Sequence, residues 1–373
     1  MSVFIPEIGF RSGDGLMLAQ PVTVMKDDDR ALRVLRLAAT DAGTELAFQV
    51  RDPQLEKDCA TGRVDYRERI GEFRLRDGTG AHVPQIPGPG NGSSFGSDGF
   101  GAFGRRVVFA PIATEAVTLE VRGDLGDWDV PLELVPIAEG AVVPATAIDA
   151  VDEAHGVTLR VVALAQMNDR TVLDVRATAG PSAKAIEIGG WLMSHGRDAF
   201  ALIDENGHKF KEVGMRDRMK MRRISGTTAV AFPRTDSRAL TLVVPSVIVQ
   251  ESEGELEFDL PIFAPTDLLF GRHPVRVQYA SAVDVLPATP GEAAQPGIEI
   301  QFGSATWHDD RRVVLPGPVF VDGSHVQWSV TGRVEAGTTS LNIPMPDGAS
   351  ARKVTMREPV VAVRGPWEVK WRR

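Results

Sequence analysis

Phe200-Ala201-Leu202-Ile203-Asp204-Glu205-Asn206-Gly207-His208-Lys209-Phe210 sets a four-residue polar turn between apolar flanks. Asn-Gly supplies the positive φ that a tight hairpin needs, so the stretch reads as strand, turn, strand. The frame occurs a second time. Phe73-Arg74-Leu75-Arg76-Asp77-Gly78-Thr79-Gly80 has Phe, Leu, Asp and Gly at the same relative positions. A turn used twice in one frame speaks of architecture rather than chemistry.

Outward from the turn, the likeness extends at a constant offset. Leu32-Arg33-Val34-Leu35-Arg36-Leu37-Ala38 matches Leu159-Arg160-Val161-Val162-Ala163-Leu164-Ala165, and 159 − 32 = 127. Thr44 and Leu46 match Thr171 and Leu173 at that offset, as Phe73, Leu75, Asp77 and Gly80 match Phe200, Leu202, Asp204 and Gly207. The copies diverge in a loop and rejoin. Residues 107–111 match 229–233, residues 117–121 match 240–244, and residues 134–137 match 259–262 loosely. The internal repeat predicts one domain over 11–140 and a second over 141–265. Each copy is a series of short β-branched or alternating runs separated by Gly, Pro, Asn and Asp, with no amphipathic helix of three turns. Many short strands without crossover helices predict an all-β chain of tandem immunoglobulin-like antiparallel β-sandwiches.

Residues 266–373 read as a third, shorter β domain. There, Val354-Thr355-Met356 followed by Trp367-Glu368-Val369 echoes Val117-Thr118-Leu119 followed by Trp128-Asp129-Val130. At the other end, Val3-Phe4-Ile5-Pro6-Glu7-Ile8 is similar to Phe258-Asp259-Leu260-Pro261-Ile262. Residues 1–10 are therefore either the tail of an earlier copy or an N-terminal edge strand.

Composition narrows the function. A net charge of −9 over 373 residues argues against a duplex nucleic-acid binder, which needs basic surface to neutralise phosphates. The single cysteine, Cys59, forms neither an intrachain disulfide nor a thiolate metal cluster, and reads as an inert thiol. No run of about 18 apolar residues exists to span a membrane as a helix. The N-terminus lacks the basic region and apolar core of a signal peptide. The chain is then cytoplasmic if Met1 is the native start, or extracytoplasmic if it is a piece of a longer protein.

Candidate chemistry is weak everywhere. Gly99-Phe100-Gly101-Ala102-Phe103-Gly104 fits a dinucleotide pattern, but that motif needs a strand before it and a helix after it. Gly92-Ser93-Ser94-Phe95-Gly96 fits a hydrolase elbow by letter, without the strand-to-helix turn of an α/β sheet. Both lie in one long loop, 87–104, whose Phe95, Phe100 and Phe103 either tuck its tip down or touch a partner. The equivalent loop of the second copy, 215–223, is basic and Met-rich. Arg216, Arg218, Lys220, Arg222 and Arg223 there are candidates for a polyanion or membrane-surface contact, against the plainer reading of a solvated loop. None of the seven histidines pairs at the spacing of a helical zinc site. His308-Asp309-Asp310 reads as a solvated turn, and Asp27-Asp28-Asp29 and Asp204-Glu205-Asn206 as turn chemistry rather than calcium ligands. Ser194, His195 and Asp198 form no triad, because neighbours on a strand point to opposite faces. Trp367 and Trp371 share one face of a terminal strand; they stack on sugar rings if exposed and anchor a core or domain interface if not. No metal or cofactor is expected.

The second copy carries a family resemblance. Asp152-Glu153-Ala154-His155-Gly156-Val157-Thr158-Leu159-Arg160-Val161, Asn168-Asp169-Arg170-Thr171-Val172-Leu173-Asp174-Val175 and Leu202-Ile203-Asp204-Glu205-Asn206-Gly207 together resemble immunoglobulin-like repeats of unknown function. These occur in extracytoplasmic parts of bacterial, anti-sigma-factor-like membrane proteins. The resemblance covers 141–265 best and 20–140 less closely. It implies a β-sandwich outside the membrane with no catalytic residues. This chain departs from the family in lacking its membrane segment and its cytoplasmic zinc-binding part.

The expectation is thus a non-catalytic extracytoplasmic sensing or protein-interaction ectodomain, not an enzyme. A partner protein is favoured, and a polyanion or glycan reached through the basic loop or the tryptophans is the alternative. The alternatives are a glycan-binding module, a structural subunit of an assembly, and an enzyme with a polar cleft between domains.

Overall fold

The structure is a computed structural model. It describes residues 2–6, 8–53, 72–86, 93–96, 102–123, 127–140, 142–189, 200–213, 226–286, 296–303, 308–331, 339–345 and 352–373. It is all-β, built of several antiparallel sheets.

The chain begins with a hairpin, β1 (Ser2–Ile5) and β2 (Gly9–Ser12). Successive side chains on a strand face opposite ways, and this hairpin uses both faces. Val3, Ile5 and Ile8 pack with Met17, Ala38, Ala47 and Ile137. Phe4 and Phe10 pack with Ala163, Ala165, Val172, Ala229 and Ala231. The hairpin therefore joins the first and second units, as an extension of a sheet of the second: β1 pairs with Val143 and Pro144, and β2 is the sheet edge. Buried Arg11 adds a polar tie, reaching the Glu45 carboxylate and donating through Nη2 to the Ile8 carbonyl at 3.1 Å.

The first unit holds β3 (Leu16–Leu18), β4 (Val22–Met25), β5 (Ala31–Thr40), β6 (Gly43–Arg51), β7 (Glu72–Asp77), β8 (His82–Val83), β9 (Ser93–Gly96), β10 (Ala102–Phe109), β11 (Ala116–Arg122) and β12 (Trp128–Pro136). The order β8-β7-β11-β12-β3-β5-β6-β10-β9 wraps around one core of Leu32, Val34, Leu46, Phe48, Leu119 and Val130 among others. Strand β12 makes the wrap possible. Its first half pairs with β11, setting Trp128 opposite Val121 and Val130 opposite Leu119, and its last residues pair with β3.

The second unit continues with β13 (Val143–Ala154), β14 (Val157–Gln166), β15 (Arg170–Ala179), β16 (Ala183–Ile188), β17 (Ala201–Asp204), β18 (Lys209–Lys211), β19 (Thr227–Pro233) and β20 (Ala239–Glu251). One sheet runs β19-β15-β14-β13-β1-β2, and the facing one contains β18-β17-β20 with β16 beside β20.

The third unit follows: β21 (Glu255–Asp259), β22 (Thr266–Phe270), β23 (His273–Val283), β24 (Gly297–Phe302), then β25 (Arg311–Leu315), which joins a sheet of the second unit instead, and β26 (Val319–Val321), β27 (Ser324–Val326), β28 (Ser329–Thr331), β29 (Thr339–Pro344) and β30 (Lys353–Arg357). Sheets β21-β30-β26-β27 and β22-β23-β24-β29-β28 enclose Leu256, Phe270, Val277, Ile298, Ile300, Leu341 and Met356.

The last strand, β31 (Val360–Arg372), leaves the third unit and returns to the second. It lies between β20 and β25, with Trp367 opposite Val244 and Val369 opposite Leu242. Val361, Val363, Trp367 and Val369 are fully buried in the second core. This pairing corrects the expected boundaries. A third domain over 266–373 would keep Trp367 with its sequence neighbours; instead β21 already belongs to the third unit's sheet, and β31 closes the second. The third unit is an insert between two paired strands.

Candidate functional site

The insert meets the second unit at a cluster of charged side chains. Glu251 ends β20, and His273 opens β23 after the turn at Gly271 and Arg272. His273 donates through Nε2 to Glu251 Oε2 at 2.9 Å. Glu251 Oε1 accepts from Arg272 Nη2 and from Arg311 Nη1, each at 3.0 Å. Burial pushes the Glu251 carboxyl up, but the hydrogen bonds and positive charge of His273 and Arg272 outweigh it and hold its pKa at about 2.

Arg311 links this group to a second one. Its Nη2 donates to the His155 carbonyl at 2.8 Å, while His155 Nδ1 lies 2.5 Å from Asp310 Oδ2. His155 and Gly156 form the turn between β13 and β14, with φ of 54° and 75°. Two consecutive positive φ values give the primed turn that suits a tight hairpin. A non-glycine residue is strained there, and the contacts with Asp310 and Arg311 hold it. The His155 ring stands edge-on to Trp367, centroids 6.1 Å apart, and Trp367 Nε1 donates to the Val157 carbonyl at 3.2 Å. The closing strand is thus fixed by the same group that fixes the insert.

Chemically this is a clasp: Glu251 Oε1 accepts from Arg272 and Arg311 and Oε2 from His273, so three of the carboxylate's roughly four acceptor sites hold neighbouring strands and turns together. Among the described residues, no group of three or more His, Cys, Asp or Glu side chains is placed to hold a metal ion. A groove of ≈ 300 Å³ elsewhere sets Asp204 and Glu205 near Lys370 and Arg372, where the second hairpin turn meets β31.

The two hairpin turns have matching geometry. Asp77 Oδ1 accepts from the Thr79 and Ala81 amides, and Asp204 Oδ1 from the Asn206 and His208 amides. Positive φ falls on Gly80 (88°) and Gly207 (81°). The Thr79 hydroxyl and backbone amides hold the Asp77 pKa low. Burial raises that of Asp204, and the His208 and Asn206 amides overcome it. Asp27 is likewise occupied, by Arg30 and the Asp29 amide.

Of the residues singled out from sequence, Trp367 and Trp371 are corrected. Trp367 is fully buried and Trp371 is 8% exposed, both in the second core, so neither presents a ring face to a sugar. The reason is alternation: they share the inward face of β31 with Val369. Asp310 is also more than a solvated turn residue, since it binds His155. Arg216, Arg218, Lys220, Arg222, Arg223 and Phe100 lie outside the described residues, as do Cys59, Ser194, His195 and Asp198. Phe103 sits on β10 between Val50 of β6 and Phe95 of β9, so the expected loop over 87–104 is in part a strand pair, because β10 extends past Val107 and β9 adds to its edge; the Phe103 side chain is outside the description.

Sequence reasoning does not reach the most exposed large apolar side chains among the described residues, all three in the third unit. Phe263 is 72% exposed, with its ring 6.2 Å from that of Tyr279, and Leu269 and Val285 are each 62% exposed. Leu269 stands on β22, a sheet edge. No helix among the described residues is long and apolar enough to cross a membrane.

No protein-family model matches the chain, and no curated protein does. Among solved structures, the chain is similar to one described as the crystal structure of the conserved domain protein from Bacillus anthracis. The match has 8% identity and a TM-score of 0.30, and it covers 64% of this chain and 81% of that one.

Proposed function

We propose that the chain is a non-catalytic extracytoplasmic interaction or sensing ectodomain whose binding face includes the third unit. The observation that carries this reading is the group of exposed apolar side chains Phe263, Leu269 and Val285. Contiguous exposed apolar patches mark contact surfaces, whereas single scattered residues do not, so the reading requires these three side chains to act as one face. The three hydrogen bonds that tie Glu251 to Arg272, His273 and Arg311 give it a structural role in this reading.

In this reading the first two units are copies of one immunoglobulin-like sandwich. Support comes from matched ladders: β5-β6-β10 beside β14-β15-β19, β7-β11-β12 beside β17-β20-β31, and a Trp opposite the same valine position in each. A structural subunit of an assembly is the second reading, favoured by Leu269 on β22, which pairs with β23 and is the edge of its sheet among the described residues.

Fractionation of the native host cell, with an intact mass, tests the proposal. A membrane-associated species larger than 40.3 kDa per chain is expected. A soluble species of that mass would contradict it and favour the assembly subunit. Phe263→Asp with Leu269→Asp should then abolish capture of the partner from the membrane fraction without lowering the melting temperature.

A further inference from the structure

We infer that this chain can exchange its C-terminal half with a second copy of itself, so that β31 of one chain completes the second unit of the other. The inference is independent of the compartment and of the partner proposed above.

Acceptor and donor are parts of the same chain. Without β31, the second unit presents the open edge of β20 and a core lacking Val361, Val363, Trp367 and Val369. The shape and chemistry that fit this edge are those of β31 itself, paired along β20 from Ala239 opposite Arg372 to Gln250 opposite Val360. A second copy carries the same strand, so the occupant is fixed by identity.

The connection that would have to open is short and exposed. Ser252, Glu253 and Gly254 join β20 to β21; Ser252 and Glu253 are exposed, and Gly254 has φ of 121°. Everything after this bend moves as one body in the exchange, because β31 stays paired with β25 and linked to β30. The contacts broken within one chain are then remade between two. Arg272, His273 and Arg311 of one copy meet Glu251 of the other, and Trp367 meets Val244. Only the bend differs between the closed monomer and the exchanged dimer. This is the condition under which exchange of an identical element has low cost, and a short constrained hinge favours it.

The test uses two full-length variants in a Cys59→Ser background, one Val243→Cys and the other Glu368→Cys. These residues are directly opposite in the β20–β31 ladder, close enough for a disulfide in an antiparallel pair. The variants are mixed, taken through partial unfolding, returned to native buffer and oxidised. Exchange predicts a cross-linked heterodimer, with a dimer-to-monomer ratio that rises about tenfold for a tenfold rise in concentration. Val243→Cys mixed with Lys353→Cys should give none. A Val243→Cys/Glu368→Cys double variant should cross-link within the monomer. Monomer alone at every concentration, with the double variant cross-linked, overturns the exchange. A double variant that stays reduced overturns the register beneath it.

Discussion

The first and second units use a tryptophan strand in the same way and obtain it differently. In the first, β12 follows β11 across a short loop, and Trp128 lands opposite Val121. In the second, the whole third unit intervenes before Trp367 lands opposite Val244. A long flexible connection would make closure harder by about 0.6 kcal/mol for each doubling of its length. The insert avoids most of that cost because its ends meet. The Glu358 amide donates to the Gly254 carbonyl at 3.1 Å, and the Glu251 amide to the Pro359 carbonyl at 3.0 Å. A folded insert with touching ends behaves as a short loop. The comparison teaches that the second unit is closed by a strand that lies beyond the third, while the first is closed by the β11–β12 hairpin within its own sequence.

The largest effect should come from removing the two tryptophans in turn. Truncating a buried Trp to Ala costs about 3–5 kcal/mol. Trp128→Ala should lower the first unit's unfolding transition alone, whereas Trp367→Ala should lower a transition shared by the second and third units. Denaturant unfolding followed by unit-specific probes separates the two, and a third unit unaffected by Trp367→Ala would break the comparison.

The clasp comes next. Glu251 has a folded pKa of about 2 against an ordinary value of 4.5. A depressed carboxyl pKa stabilises the fold above the unfolded value and loses that contribution as pH falls through the folded one. The contribution is on the order of 3 kcal/mol at neutral pH, as an upper bound. Glu251→Gln should therefore destabilise the second and third units at pH 7, with the gap to wild type closing between pH 4.5 and 2. Acid unfolding of both proteins, monitored in parallel, measures that gap; a constant gap would mean that Glu251 is not held ionised by its partners.

The smallest effect sharpens the likeness of the units. Gly80→Ala and Gly207→Ala both place a side chain at positive φ with nothing within 4 Å of the new Cβ. Each should cost about 1–2 kcal/mol through backbone strain alone. Equal costs, read from melting curves, would match the two turns, and unequal costs would show that one hairpin carries an extra constraint.

Local features were the ones that could be read from sequence. The Asp-x-x-Gly turns at Asp77 and Asp204 follow from side-chain acceptors and a permissive glycine a few residues apart, and both are found. The match of Trp367-Glu368-Val369 with Trp128-Asp129-Val130 was also visible, but contiguity assigned it to a third copy. Nothing local states which strand a strand will pair with, so the sequence does not bring β31 to β20. Glu251, His273 and Arg311 were illegible for the same reason: they are 22 and 60 residues apart, and no repeat or motif spacing connects them. Exposure of Phe263 is equally hidden, because the apolar run Leu260-Pro261-Ile262-Phe263-Ala264 reads as core.

Hydrogen exchange on the full chain carrying Trp367→Ala tests the central claim most directly. If β31 closes the second unit, amide protection should fall in β17 and β20 as well as in β31, while β11 and β12 keep theirs. Loss confined to residues 266–373, with β20 still protected, would contradict it.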